Sequence, residues 1–222
     1  LYLEQTGASI DYMIGILNNT TYSMYRSSDA KQLMYRKPSD NVYDYIQVMN
    51  RFIGSFIDAN PAIYSAYIYN PNLGCYLSTD RGIFYVDEDF RQRMEQPEIP
   101  VSDFPVLRRI DGQLVCTQMI ADNYDTVYRH NDSSIFVNYK FDWMLDNMNT
   151  YLRPERGDSL FLLDKEGRYF PAYESANLNS EAMEAEMRRC QELLAGQSAV
   201  TAPWLGRDSI ITTYRVPSTG WQ

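Results

Sequence analysis

The spacing of hydrophobic positions alternates along the chain between helical repeats and strand-like runs. Residues 1–35 carry apolar side chains near three- and four-residue spacings, which predicts a long helix. An N-cap at Ser39 or Asp40 and a stop at Asn60-Pro61 predict a second helix. This helix has the clearest apolar stripe in the sequence, formed by Val42, Tyr45, Ile46, Met49, Phe52, Ile53 and Phe56.

Two segments predict β-hairpins of the same kind. In the first, runs over 63–69 and 75–79 flank a turn at 70–74, and in the second, runs over 159–163 and 168–173 flank a turn at 164–167. The runs are rich in β-branched and aromatic residues, which suit a half-buried strand, and the turns contain Asn, Asp and Gly.

The other elements complete two predicted lobes. We expect strands at 83–86, 113–121, 134–140, 209–215 and from Trp221, a short helix over 88–95, and loops at 97–105 and 122–133. Helices are predicted from Asp142 to Pro154 and from Asn179 or Ser180 to Gly196. Because strands and helices are mixed in this order, the sequence predicts an α+β fold with antiparallel sheets.

The chain also has the features of an excised segment. It opens within a helical pattern and closes within a strand-like one, so we expect it to belong to a longer protein. No apolar run approaches the roughly 18 residues that a membrane-spanning helix needs. The formal net charge of −9 disfavours nucleic acid and anionic lipid as partners, although solubility is its simplest meaning.

Most enzymatic chemistries lack the residues that they require. The single histidine, His130, lies in a polar run, and no phosphate-binding glycine loop occurs. Cys75, Cys116 and Cys190 are too far apart for a metal knuckle, and burial is their expected role, with a Cys75–Cys116 disulfide as the less favoured alternative. We therefore predict no catalytic residue, no metal site and no cofactor; a two-carboxylate hydrolase is a distant alternative.

Tyrosine is the residue type that stands out, with 19 copies. Packing in half-buried strands explains most of them, and the alternative is a pocket in which rings stack on a ligand. Strand alternation places Ser65, Tyr67 and Tyr69 on one face, and a buried Gln118 or Asn138 would need a polar partner. Arg81, next to a turn glycine, suits an anion or a sugar hydroxyl, or else a surface ion pair. The candidate ligand-binding residues are Tyr67, Tyr69, Arg81, Tyr85, Gln118 and Asn138.

The order of several motifs resembles that of double Cache sensor domains. The motifs are Pro-Ala-Ile-Tyr-Ser-Ala-Tyr-Ile-Tyr-Asn at 61–70, Leu-Ser-Thr-Asp-Arg-Gly-Ile-Phe at 77–84, Ile-Phe-Val-Asn-Tyr-Lys-Phe-Asp-Trp-Met-Leu at 135–145, Leu-Phe-Leu-Leu-Asp-Lys-Glu-Gly-Arg at 160–168 and Ser-Thr-Gly-Trp at 218–221. The chain is most similar to the sensor domains of membrane-anchored AraC-type transcriptional regulators of Gram-positive bacteria. Sensor histidine kinases carry comparable domains.

The resemblance implies an extracytoplasmic sensor with a stalk helix at 1–38 and two PAS-like lobes. The membrane-distal lobe would span 39–153 and hold the ligand, and the membrane-proximal lobe would span 154–222 and lead into a membrane span. The amino-acid-binding members carry an Arg-x-Trp-Tyr run where this chain has Asp80–Tyr85, which argues against a free amino acid. We expect a sugar or oligosaccharide, or a ligand-loaded binding protein. The alternative is an interaction module without a small-molecule site, and a homodimeric parent protein is left open.

Overall fold

The computed structural model describes residues 2–37, 41–79, 82–85, 105–110, 113–122, 133–148, 159–165, 167–173 and 180–222. These residues form two compact units, one comprising Ile14–Met144 and the other Leu1–Met13 together with Leu145–Gln222. Helices and antiparallel sheets are both present, in agreement with the α+β prediction. The domain boundaries predicted at residues 38 and 153 stay a prediction.

The predicted N-terminal helix is two helices, α1 (Tyr2–Arg26) and α2 (Ser28–Tyr35). The break lies at Ser27, whose Oγ accepts a hydrogen bond from Ala30 N at 3.1 Å and donates one to Met24 O at 2.8 Å. A serine in this extended conformation satisfies a backbone donor at the start of α2, which favours a new helix over continuation.

The third helix, α3 (Val42–Phe52), continues into a π-helical turn at Ile53–Ile57. Its N-cap is Asn41, which accepts from Tyr43 N at 2.9 Å, whereas the predicted caps Ser39 and Asp40 lie outside the described residues. The predicted apolar stripe is only partly buried: Tyr45 and Phe52 are inside together with Val48, but Ile46 is 51 % exposed. Because a π-helical turn holds more residues per turn, the helical stripe does not continue in register beyond Phe52.

A six-stranded antiparallel sheet forms the centre of the larger unit. Its strands are β1 (Ile63–Asn70), β2 (Cys75–Ser78), β3 (Gly82–Tyr85), β4 (Val106–Ile110), β5 (Gln113–Asp122) and β6 (Ser133–Lys140). The spatial order is β3-β2-β1-β6-β5-β4, so β1 and β6 are the central pair. The first predicted hairpin is confirmed as β1 and β2.

This sheet differs from the predicted strand pattern in two respects. β4 was not predicted, because its short run of Val, Leu, Arg, Arg and Ile follows Pro105 and has no clear alternation. It is stabilised instead by pairing along its whole length with β5. The predicted helix at 88–95 and most of the predicted loops at 97–105 and 122–133 lie outside the described residues, but Asp122 and Ser133 are strand residues.

One face of the sheet packs against α1 and α2, and we call it the helix face. Its apolar side chains are buried and include Ile68, Leu77, Leu107, Ile135 and Val137. Its polar side chains bind the helices: Tyr139 Oη lies 2.6 Å from Thr21 Oγ1 and donates to Leu17 O at 3.1 Å. Asn70 Nδ2 similarly donates to Leu33 O and Arg36 O at the end of α2.

The smaller unit contains two hairpins and a helix. Its strands are β7 (Leu160–Leu163), β8 (Tyr169–Tyr173), β9 (Ala199–Trp204) and β10 (Arg207–Thr212), and its helix is α5 (Ser180–Leu193). Helix α4 (Phe141–Met148) begins in the larger unit and ends in this one. The second predicted hairpin is confirmed as β7 and β8, whereas β9 was not predicted.

The predicted strand from Trp221 is not a regular strand. Gln222 nevertheless exchanges two backbone hydrogen bonds with Leu163, of 2.7 and 2.9 Å, in the manner of an antiparallel pair. Within the same unit, Gly7 of α1 faces the ring of Tyr214 so closely that a Cβ at position 7 would overlap it. This contact explains why a glycine lies inside a long helix, where it otherwise costs about 1 kcal/mol relative to alanine.

Candidate functional site

The candidate site lies on the face of the six-stranded sheet opposite the helix face, and we call it the site face. Register places Tyr67 of β1 opposite Phe136 of β6, and Phe136 opposite Met119 of β5. Directly paired residues in antiparallel strands point to the same side of a sheet. The side chains of Tyr67, Tyr76, Met119 and Phe136 form one buried cluster, with Tyr69 and Ala121 packed against it.

The aromatic rings in this cluster contact one another in tilted and edge-on geometries. The ring centroids of Tyr69 and Tyr76 are 5.0 Å apart at an interplanar angle of 46°, and those of Tyr76 and Phe136 are 6.0 Å apart at 60°. Such pairs stabilise their own arrangement by about 0.5–1.5 kcal/mol beyond the buried area. The rings therefore form an ordered apolar layer along β1, β2 and β6.

A chain of polar side chains lies one row away from the rings. Register pairs Ser65 with Asn138 and Asn138 with Thr117. Asn138 Nδ2 donates to Ser65 Oγ at 3.0 Å, and Thr117 Oγ1 donates to Asn138 Oδ1 at 2.6 Å. Arg108 of β4 completes the chain, donating from Nε to Thr117 Oγ1 at 2.6 Å and from Nη2 to Asn138 Oδ1 at 3.1 Å.

This polar chain is buried, which changes the electrostatics of Arg108. Its side chain is 4 % exposed, and burial lowers the pKa of the guanidinium to about 10, an effect that nearby Tyr67 opposes. Arg108 is therefore charged at neutral pH. Because burying a charge is costly, the neutral oxygens of Thr117 and Asn138 both orient and partly solvate the cation.

The structure brings together three of the six predicted ligand-binding residues. Tyr67, Tyr69 and Asn138 are all on the site face, as strand alternation along β1 and β6 requires. Tyr67 and Asn138 are buried and Tyr69 is partly exposed. Tyr85 lies in β3, opposite Cys75 in register. Arg81 lies outside the described residues.

Gln118 is on the helix face, on the opposite side of the sheet from Tyr67, Tyr69 and Asn138. It follows Thr117 in β5, so alternation directs it to the opposite side of the sheet. Its Nε2 donates to Asn18 Oδ1 of α1 at 2.7 Å, which supplies the partner that a buried amide needs. Its Oε1 has no hydrogen-bond partner in the described part of the chain.

Sequence reasoning missed Arg108 and Thr117. Alternation gave the faces of β1 and β6 separately, but it does not reveal that β5 lies beside β6 or which residues are paired. The two consecutive arginines at 108 and 109 were the sequence feature that could have indicated Arg108. In the structure, Arg108 is buried and Arg109 is exposed. A strand prediction over 106–110 would have assigned the two to opposite faces.

The described residues do not offer a metal site. No group of three metal-ligating side chains occurs among these residues. The three cysteines are buried and free, which agrees with their predicted role as small hydrophobic residues. Over the same ranges, no helix has the length and apolar character of a membrane span.

The fold has known counterparts among solved structures. The chain matches the ligand-binding domain of the Pseudomonas fluorescens chemoreceptor CtaA, solved in complex with L-isoleucine, with a TM-score of 0.53 and 12% sequence identity over 98% of this chain and 85% of that one. This likeness is one of fold, and the fold is of the Cache/PAS-like α+β type. The predicted fold class, α+β with a long N-terminal helix and PAS-like antiparallel sheets, is thereby confirmed.

A second likeness is weaker. The periplasmic sensory domain of the Campylobacter jejuni chemoreceptor Tlp1 matches with a TM-score of 0.49 and 12% identity, over 98% of this chain and 89% of that one. No protein-family model matches this chain, and no curated protein matches it. The likeness to the CtaA domain supports the fold alone.

Proposed function

We propose that this chain is the extracytoplasmic ligand-sensing domain of a membrane-anchored signalling protein and is not an enzyme. The observation that carries the proposal is the site face, where ordered aromatic rings lie beside a connected chain of polar groups. Ligand sites commonly combine apolar walls with a few well-placed polar groups. The Cache-like fold, which sensor domains use, supports the same function.

The ligand class and the output domain are proposed on the resemblance together with the site. Tyrosine rings suit the apolar faces of sugars, and Asn138, Ser65 and Thr117 offer amide and hydroxyl groups for sugar hydroxyls. A carbohydrate is therefore our proposed ligand, and a homodimeric AraC-type regulator or histidine kinase is the proposed parent protein. CtaA was solved with L-isoleucine, so amino acids belong in any ligand screen.

A protein-interaction module is the second candidate function. In that case a ligand-loaded solute-binding protein would contact this domain, and the site face would be filled only by its own side chains. The burial of Tyr67, Asn138 and Arg108 is the observation that favours this candidate, because the protein's own atoms already enclose these side chains.

A thermal-shift screen of the whole chain against sugars, oligosaccharides, amino acids and organic acids tests the proposal. At a ligand concentration 100-fold above Kd, binding adds about 2.7 kcal/mol to the free energy of unfolding, which is a readily measured shift. Tyr67→Phe removes a hydroxyl from the site face, and Tyr139→Phe removes one from the helix face. We expect the first variant to weaken binding and the second to leave Kd unchanged.

The two candidate functions predict different results. A small-molecule shift that Tyr67→Phe reduces supports the ligand sensor. A silent screen combined with saturable binding of a ligand-loaded solute-binding protein would replace it with the interaction module. Turnover of a chromogenic glycoside would contradict both.

A further inference from the structure

The 216–221 loop of the smaller unit lies between α1 and β7. It contains the Ser-Thr-Gly-Trp motif at 218–221, to which the proposed binding of a ligand assigns no role. We propose that this loop couples the two elements, so that release of the N-terminal part of α1 also releases the backbone pairing of β7, and the reverse. The inference goes beyond the proposed function and does not depend on the identity of the ligand.

The first support is that the loop is closed by its own hydrogen bonds. Val216 N donates to Trp221 O at 2.7 Å, and Gly220 N donates to Val216 O at 2.8 Å. Trp221 N also donates to Thr219 Oγ1 at 3.2 Å. Gly220 has a φ of +73°, which side chains other than glycine rarely adopt. Because these bonds connect the two ends of the loop, it moves as one body.

The second support is a double contact between the loop and α1. Asp11 Oδ1 of α1 accepts hydrogen bonds from Ser218 N, at 3.2 Å, and from Ser218 Oγ. Bonds to an ionised acceptor are stronger than bonds between neutral groups. One helical turn earlier, Gly7 faces the ring of Tyr214, which lies just before the loop. Two successive turns of α1 are therefore held by this part of the chain.

The third support is the contact with β7 at the other side of the loop. Gln222 follows the loop directly and exchanges two backbone hydrogen bonds with Leu163, of 2.7 and 2.9 Å. Leu163 is the last residue of β7 and is paired with Tyr169 of β8. Four residues along the chain thus separate the bond to Asp11, made by Ser218, from the pairing with β7, made by Gln222.

The loop geometry makes these contacts depend on each other. Thr219 and Trp221, which lie between Ser218 and Gln222, are both buried. Ser218 leaves Asp11 only if the loop moves as a whole or if its internal bonds break. Either change displaces Gln222, which is bonded to Trp221 covalently and to Leu163 through its backbone. Local openings in proteins occur in such contiguous units.

The coupling would have a use in the sensor proposed above. Coupled elements pass a conformational change from one to the other, because the coupling free energy acts equally in both directions. Two independent contacts of the same strength would stabilise the unit without transmitting a change. The distinction is measurable in the chain alone, with no ligand present.

Amide hydrogen exchange of the whole chain, measured by NMR, tests the coupling from α1 to β7. Asp11→Ala removes the acceptor of both Ser218 bonds, and we expect the Leu163 amide to exchange about 5-fold faster or more. Asp208→Ala is the control, because it removes an exposed carboxylate from the same unit, and it should leave Leu163 unchanged. Alanine favours a helix more than aspartate does, so helix propensity does not produce the expected effect.

Removal of Gln222 tests the coupling from β7 to α1. It eliminates both bonds to Leu163, and we expect the amides of α1 around Asp11 to exchange faster, because coupling is reciprocal. Gln222→Ala is the control, since it changes an exposed side chain and keeps the two backbone bonds. All rates are expressed relative to those of β5 in the larger unit, so that a general loss of stability cancels.

The outcomes decide between coupling and independent contacts. Faster exchange at Leu163 in Asp11→Ala and in α1 after removal of Gln222, with both controls unchanged, supports the coupling. An unchanged Leu163 in Asp11→Ala, or an equal effect of Asp208→Ala, would overturn it. Loosening of β7 alone after removal of Gln222 would also overturn it. The thermal-shift screen decides the sensor function separately, because no ligand enters this experiment.

Discussion

The two faces of the six-stranded sheet use their polar groups in different ways. On the helix face, three of these groups bridge the sheet to a helix, as Tyr139 does to Thr21, Gln118 to Asn18 and Asn70 to Leu33. On the site face, the polar groups of Arg108, Thr117, Asn138 and Ser65 bond to one another across four strands. Bonds of the first kind hold layers together, whereas bonds of the second kind orient side chains within one layer.

This difference suggests that the helix face stabilises the fold and that the site face serves the proposed binding of a ligand. If it is correct, substitutions on the helix face lower stability without changing the Kd of the ligand. Substitutions on the site face change Kd as well.

The largest effect is expected for Leu77→Ala. Leu77 is completely buried on the helix face, opposite Ile68, so the substitution leaves a cavity. We expect the free energy of unfolding to fall by about 2–5 kcal/mol, measured by denaturant titration. Ile210→Ala is the control, because Ile210 is 76 % exposed and should cost little. A similar loss in both variants would contradict this account of the core.

Asn70→Ala should have the next largest effect. Asn70 Nδ2 donates to Leu33 O and Arg36 O, and its Oδ1 accepts from Asn72 N and Leu73 N. Leaving such buried backbone groups unsatisfied costs about 1–3 kcal/mol in stability. Asn72→Ala removes a single exposed bond to Tyr35 O and should cost much less. Equal losses of stability in the two variants would show that the buried hydrogen bonds of Asn70 stabilise the fold no more than the exposed bond of Asn72.

Sequence alone predicted the local parts of this architecture and missed its long-range pairing. The hairpin of β1 and β2 was predicted because its strands and turn are contiguous, so alternation and turn residues suffice. The neighbouring position of β1 and β6 joins Tyr67 to Phe136, which are far apart in the chain, and no local pattern specifies it. For the same reason, alternation within single strands could not show that Gln118 lies on the face opposite Tyr67, Tyr69 and Asn138, with which it was grouped.

A smaller effect is expected for the hydroxyl pair of Tyr139 and Thr21. Their oxygens are 2.6 Å apart and both are buried. Tyr139→Phe and Thr21→Val should each destabilise the chain by about 1 kcal/mol, and the double variant by less than the sum. A double-mutant cycle by chemical denaturation measures the coupling. Strictly additive losses would mean that the two hydroxyls do not stabilise each other.

The smallest effect concerns alkaline pH, where the two faces should respond with opposite signs. Burial raises the pKa of the Cys116 thiol and of the Tyr139 phenol on the helix face, so the folded state retains these protons while the unfolded chain loses them. Their contribution to stability is complete below the unfolded-state value of the thiol, 9.0, and is lost as pH rises above it. The lowered pKa of Arg108, about 10, acts in the opposite direction above that pH.

Unfolding measured by denaturant at pH 7.5, 8.5 and 9.5 tests this sign. Cys116→Ala should flatten the decline in stability between the last two values, whatever its effect at pH 7.5. Cys190→Ala, in the other unit, removes a thiol whose pKa is also raised by burial and serves as the comparison. An unchanged slope in Cys116→Ala would show that this thiol does not contribute to the pH dependence.

The adjacent residues Asn138 and Tyr139 have a further consequence for how the sheet assembles. Asn138 bonds within the site face and Tyr139 bonds to α1, so each side chain has partners on one side of β6 only. A slip of one residue between β6 and its neighbours would exchange the two sides. Thr21 would then lose its phenol partner, and Arg108 would lose its amide acceptor. A mispaired sheet would thus lose hydrogen bonds on both faces at once. The adjacent pair Asn138 and Tyr139 therefore favours the native register of β6 during folding.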